Sequence, residues 1–223
     1  MNLRMVVILL TVSILLGACG AQPQPPANPG TVPNSLQTIE AAAEDIIDLA
    51  PGGNWDKIAT DVTDITNAWE TYRAQAGRDG ASQELQNAMS SALADLQAAS
   101  GAKDATATMQ ASNNVSAAVV EMFALFHPRV PSAIGRLDVL ERQVILDVAA
   151  VDYAAAETDL TKTKSVWEQV KPSVLDHNGK DVAAQFEASL TAQQSALDAQ
   201  DEAALTSEAR DGLEIVDVLE RLY

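Results

Sequence analysis

The chain reads as all-α, two tandem four-helix repeat units packed as helical bundles, on three observations. Apolar residues recur three and four positions apart through most of its length, the spacing of one helix face. Hydrophobic residues make up 47% of the chain and aromatic ones only 4%, so the apolar content is mostly alanine, leucine and valine, the usage of helices rather than sheets. One helical pattern occurs twice, and no run alternates apolar and polar residues for long enough to make a strand.

The first segment stands outside that pattern. Arg4 precedes an apolar run over 5–16, about a dozen residues where a membrane span needs roughly 20, and Leu16-Gly17-Ala18-Cys19 closes it. This arrangement resembles a bacterial lipoprotein signal. The resemblance implies that residues 1–18 are cut off and that Cys19, the one cysteine, becomes a lipidated N-terminus carrying palmitate-like chains. Two or three such chains hold a protein durably at a membrane. Residues 19–34 then form a tether, because the run GAQPQPPANPGTVP over 20–33 is uncharged and proline-rich and favours an extended polyproline path. Gly20, in place of the aspartate associated with inner-membrane retention, implies the outer membrane in a Gram-negative host and the outer face of the cell membrane otherwise.

Unit one is expected over 35–127 and unit two over 128–223, from an internal repeat at an offset of 98 residues. Residues 54–73 align without a gap on 152–171, placing Asp61 on Asp159, Trp69 on Trp167 and Glu70 on Glu168. Upstream, Ile39, Ile46 and Ile47 fall on Leu137, Val144 and Ile145; downstream, one deleted residue puts Leu85, Met89 and Leu93 on Val182, Phe186 and Leu190.

In the second helix of unit one, Trp55, Ile58, Val62, Ile65, Trp69 and Tyr72 lie on one stripe, matched in unit two by Tyr153, Ala156, Leu160, Thr163, Trp167 and Val170. A stripe of that spacing is a packing seam, so these tryptophans are expected in cores rather than along a ligand groove. Pro51-Gly52-Gly53 ends the first helix, with Asn54 placed to cap the next. Unit two has no proline or glycine over 136–171, so its first two helices are expected to join by a kink or to run on, with Asp152 as the cap candidate. Third helices follow turns at Asp79-Gly80 and Asn178-Gly179, over about 82–99 and 181–197. Fourth helices span about 103–126 and 201–222, with Val119, Met122, Phe123 and Phe126 facing inward in one and Ile215, Val216, Leu219 and Leu222 in the other. Pro128 and Pro131 separate the units.

Without residues 1–18 the chain sets 13 basic residues against 31 acidic ones. A body so acidic is repelled by phosphate backbones, which excludes nucleic acid and leaves cationic ligands or an envelope protein as partners. Glu70 and Glu168 each follow a seam tryptophan, and Asp61 and Asp159 each precede a seam position. These four are the candidate ligand-binding residues, either converging on a cation between the units or standing as solvated flanks of their helices. His127 at a helix end and His177 in a turn have no second histidine or carboxylate at the three- or four-residue spacing on a helix, so no metal is assigned. Met89, Met109 and Met122 fall on different helices at core-like positions, where methionine fills gaps rather than binding copper. No Gly-x-Ser-x-Gly, phosphate loop or dinucleotide fingerprint occurs, so neither catalysis nor a cofactor is expected.

Residues 152–223, with a tryptophan ending one helix, Asp176-His177 in the turn and two further amphipathic helices, resemble small helical domains of membrane-anchored bacterial proteins of unknown function. The chain is also similar to imelysin-like periplasmic proteins, in which an aromatic–acid pair ends a helix before a proline, as Trp167-Glu168 precedes Pro172. Their Gly-x-His-x-x-Glu signature does not occur here, so no iron ligand is implied. The function expected is a non-enzymatic binding or scaffolding role at the cell envelope. The alternative is an accessory protein that handles a solute or metal in a cleft between the units.

Overall fold

A computed structural model describes residues 30–223, so the segment read as a signal peptide, Cys19 and most of the expected tether lie outside the described residues. Within them the chain forms eight α-helices and no strand. Unit one contains α1 (Asn34–Leu49), α2 (Trp55–Ala76), α3 (Gln83–Ala102) and α4 (Ala105–Phe123). Unit two contains α5 (Ser132–Ala149), α6 (Tyr153–Asp176), α7 (Lys180–Asp198) and α8 (Glu202–Glu220).

Side-chain caps set the register of the duplication. Asp104 accepts from the Ala107 amide at 3.0 Å and Asp201 from the Ala204 amide at 3.0 Å, the same bond 97 residues apart at the start of α4 and α8. Such a bond satisfies an amide that has no intrahelical partner. Ser82 caps α3 and Asp152 caps α6 in the same way.

Three local expectations are corrected. Asn54 makes no capping bond; the turn before α2 is made instead by Gly53, at φ 67°. Helices α5 and α6 are separate, broken by Val151 at φ 60° although no glycine is present. The break is closed by bonds from the Val151 amide to the Val148 carbonyl and from the Asp152 amide to the Asp147 carbonyl, and Val151 is left 68% exposed. Nor does α6 end before Pro172: it runs through that residue to Asp176. A helix-interior proline costs about 3 kcal/mol, but the stripe continues past it through the buried Val170 and Val174, and Pro172 itself faces solvent.

Each unit closes into a four-helix ring. In unit one α1 packs on α2 and α4 while α3 bridges α2 and α4; α5, α6, α7 and α8 repeat the arrangement. The seams lie in the cores as expected, with Trp69 beside Tyr72 (ring centroids 6.3 Å) and Trp167 beside Phe186 (4.9 Å); Trp55 and Tyr153, at the helix starts, are half-buried. Met89 and Met122 are fully buried and Met109 packs against the same core. Of the inward faces, Val119, Met122, Phe126, Val216 and Leu219 are buried, whereas Phe123, Ile215 and Leu222 are only half-buried.

The units meet along α5. That helix contacts α6 and α8 of its own bundle and α4 of the other, and Arg142 reaches α1. From Ser132 to Val148 none of its residues is exposed.

Candidate ligand-binding site

A helix with no exposed residue from Ser132 to Val148 must place its charged residues at or inside the junction. Helix α5 carries Arg136, Asp138, Glu141, Arg142 and Asp147, and the junction is organised by where each goes. Toward α4, Arg136 forms a two-point ion pair with Glu121, Asn113 Nδ2 donates to the Val139 carbonyl at 3.1 Å, and the Gln110 and Gln143 amides exchange bonds of 2.8 and 3.0 Å. Toward α1, Arg142 Nη1 lies 2.6 Å from Asp138 Oδ2 and Arg142 Nη2 donates to Glu44 Oε1 at 3.0 Å. Glu44 and Arg142 stand at the repeat offset of 98, so equivalent positions of the two units touch, as they do near a two-fold axis.

Beside that contact is a cavity of about 470 Å³, between α1, α4, α5 and the end of α8. One wall is acidic: Glu40 and Glu44 from α1, Asp138 from α5 and Glu220 from α8. The other is apolar and includes Val32, Val120, Phe123 and Pro131. Its size falls within the range of small-molecule sites, and an apolar lining with a few converging polar groups is their usual make-up.

The acids are under-compensated. Arg142 is shared between Asp138 and Glu44, and Arg129, also at the cavity, is exposed. Glu40 Oε2 is closed off from solvent and accepts no hydrogen bond. Burial, reinforced by repulsion from Glu44 and Asp138, pushes Glu40 up to about 8 against the pull of Arg142. Burial likewise pushes Asp138 up to about 7, although Arg142 beside it works in the opposite direction. Glu220 is raised as well, again by burial first and then by repulsion from Glu44 and Asp217.

A second buried acid lies behind this wall, in the core of unit two. Glu141 is 0% exposed and neither of its oxygens has a hydrogen-bond partner. The space for it is provided by Gly212: a β-carbon there would come within 2.9 Å of Glu141 Cδ. Gln193 Nε2 donates to Ser189 Oγ at 3.2 Å and Ser189 Oγ donates to the Glu208 carbonyl at 3.1 Å, which leaves Gln193 Oε1 without a donor. A proton on Glu141 turns an acceptor into a donor in a group that lacks one. Burial pushes Glu141 up to about 8, its interaction with Gln193 working against the rise and Asp138 adding to it.

None of the four acids singled out in the sequence lines the cavity. Glu70 and Glu168 are exposed, on α2 and α6. Asp61 and Asp159, taken as solvated flanks under one reading, are 2% and 8% exposed. Asp61 sits three residues after Ile58 and four before Ile65, inside the wider stripe that a bundle helix buries against two neighbours. It pairs with Lys57, while Asp159 accepts from Lys162 at 2.5 Å. Asp147, raised to about 6 by burial and by hydrogen bonding and repulsion from Asp159 against a bond from Gln143, completes a carboxyl pair in unit two. His127 caps a short helical turn at φ 48°; the His177 ring packs on Tyr223 at 4.3 Å and its Nδ1 lies 2.9 Å from the Ser173 carbonyl. Among the described residues no three His, Cys, Asp or Glu side chains are grouped as a metal ion would require.

Sequence reasoning missed Glu40, Glu44, Asp138, Glu220 and Glu141. A signal for Glu141 was present, since it shares a stripe with Leu137, Val144 and Val148 and aligns with Ala43. Comparison with protein-family models, with curated proteins and with solved structures returned no match.

Proposed function

We propose that this chain is an exported, lipid-anchored protein of the bacterial envelope that acts by binding rather than by catalysis, and that its binding site is the cavity between the two helical units. The observation that carries this reading is a cavity of ligand size with one apolar wall and one acidic wall, on which Glu40 and Glu220 have no ion-pair partner among the described residues. The anchor is supported by Leu16-Gly17-Ala18-Cys19. Gly30 lies eleven positions after Cys19, a reach of at most about 40 Å, and Gly30 itself lines the cavity. The site therefore belongs to the tethered end of the body.

Native mass spectrometry of the mature chain, extracted in mild detergent from its own host, tests the reading. A retained small molecule in one-to-one ratio is the expected result. A co-purifying envelope protein with no small molecule would overturn it in favour of a scaffold. Cys19→Ser is expected to release the protein from membranes washed in high salt, and retention would overturn the anchor.

A further inference from the structure

Resting on the reading of the cavity as a ligand site, we propose that its ligand is an organic monocation, an alkylammonium or alkylguanidinium head on an apolar body. The two walls divide the work. Val120 and Phe123 offer an apolar surface for the body, and Glu40, Asp138 and Glu220 offer acceptors for the head. Arg142 contacts Asp138 and Glu44, which leaves Glu40 and Glu220 on the cavity wall without an ion-pair partner among the described residues, and a second cationic head would serve them. An anion would meet four carboxyls at close range, and a neutral body would leave Glu40 and Glu220 without a counter-charge. A small divalent ion needs six or more oxygens drawn tightly around it, and the described residues hold no such group. A cation that spreads its charge over several N–H donors, with an apolar tail, matches what is present.

Proton exchange accompanies this recognition. The charged groups bearing on Glu40 and its neighbours are Glu44, Asp138, Glu220 and Asp217 on the acidic side and Arg142, Arg221 and the rim residue Arg129 on the basic side. With Glu40 raised to about 8 and Asp138 to about 7, the empty cavity holds protons near neutral pH, and the entering cation displaces them. Affinity then rises with pH.

The test is calorimetric titration of the mature chain in detergent with phenethylammonium chloride, at pH 6.0 and 8.5 and in buffers of different ionisation heat, with 2-phenylethanol as the neutral probe of the same shape. The expected result is one site per chain, binding at least about tenfold tighter at the higher pH, proton release into the buffer, and at least about tenfold weaker binding of the alcohol. At pH 8.5 Glu40→Gln should weaken phenethylammonium by about tenfold or more while leaving Tm unchanged or higher, because above its raised pKa it removes a buried charge without removing volume. Should that variant fold poorly, Glu220→Gln at the exposed end of the wall gives the same readout with a smaller loss. Equal binding of the alcohol, pH-independent affinity, or wild-type affinity in both variants would overturn the cation and leave the cavity as a site for something else. If neither probe binds, the cation is likewise overturned, and native mass spectrometry then separates the two ideas: a retained molecule of another class leaves the binding reading standing, and an empty protein removes both.

Discussion

Helices α1 and α5 hold matched places in the two bundles, yet the fold treats them differently. At successive aligned positions α1 carries Glu40, Ala43 and Glu44 where α5 carries Asp138, Glu141 and Arg142. Helix α1 turns one side to solvent, and its residue aligned with Glu141 is the buried Ala43. Helix α5, enclosed by both bundles, has a carboxylate there. The shift of 97 that aligns the later helices sets Val115 against Gly212, Leu96 against Gln193 and Ala92 against Ser189, and all of these are buried. Unit one thus fills this region with Ala, Val and Leu. Unit two inserts a glutamic acid, opens space with a glycine, and gives it amide and hydroxyl neighbours. Such changes are coupled, because cores are packed densely enough that one large side chain requires a small one opposite. The duplicated frame is conserved between the halves while one half has become polar beneath the cavity.

The largest effect is expected where the halves are most alike. Trp69→Ala and Trp167→Ala should each cost about 3–5 kcal/mol, as truncation of a buried aromatic does. Urea unfolding measures both, and a midpoint unmoved in either variant would break the equivalence of the seams.

Where the halves differ, pH becomes the probe. Glu141 is raised from its ordinary 4.5 to about 8 in the folded chain. The folded state therefore holds the proton more tightly than the unfolded chain, the contribution is full below pH 4.5, and it is lost as pH rises toward 8. Glu40 and Asp138 act in the same direction. The wild type should be more stable at pH 5 than at pH 8.5, and Glu141→Gln should remove on the order of 3 kcal/mol of that difference. Denaturant midpoints at the two pH values decide it, and an unaltered slope in the variant would show that Glu141 titrates normally.

Gly212→Val sharpens the comparison further. Alone it crowds Glu141 and should cost about 1–3 kcal/mol; combined with Glu141→Ala, which restores the Ala43–Val115 pair of unit one, most of the loss should return. Additive single and double variants would mean that the two positions are independent. The smallest effect belongs to Glu70→Gln and Glu168→Gln, expected within about 0.5 kcal/mol as for surface changes. A larger loss in either would restore these residues as candidates for a site.

The helices and their doubling were legible because apolar spacing is a local property, and rare tryptophans fixed the alignment. The break at Val151 was not, since a valine in left-handed backbone is held by the closing bonds to Val148 and Asp147 rather than by its own preference. Pro172 marks the same limit, a local rule outweighed by the burial of Val170 and Val174. The cavity was hidden for a different reason. Glu40, Asp138 and Glu220 read as ordinary charged positions of amphipathic helices, and only the docking of one bundle against the other gathers them. Glu141 alone could have been found, as a charge on an apolar stripe facing an alanine in its repeat.

The central claim is that the junction of the two units is a site for an organic cation, and a crystal structure of the chain grown with phenethylammonium at pH 8.5 tests it most directly. The account predicts the ammonium nitrogen within hydrogen-bond distance of a Glu40 or Glu220 carboxyl oxygen and the ring against Val120 and Phe123. A ligand seated elsewhere, or bound with its ring toward Glu40 and its nitrogen in solvent, would contradict it.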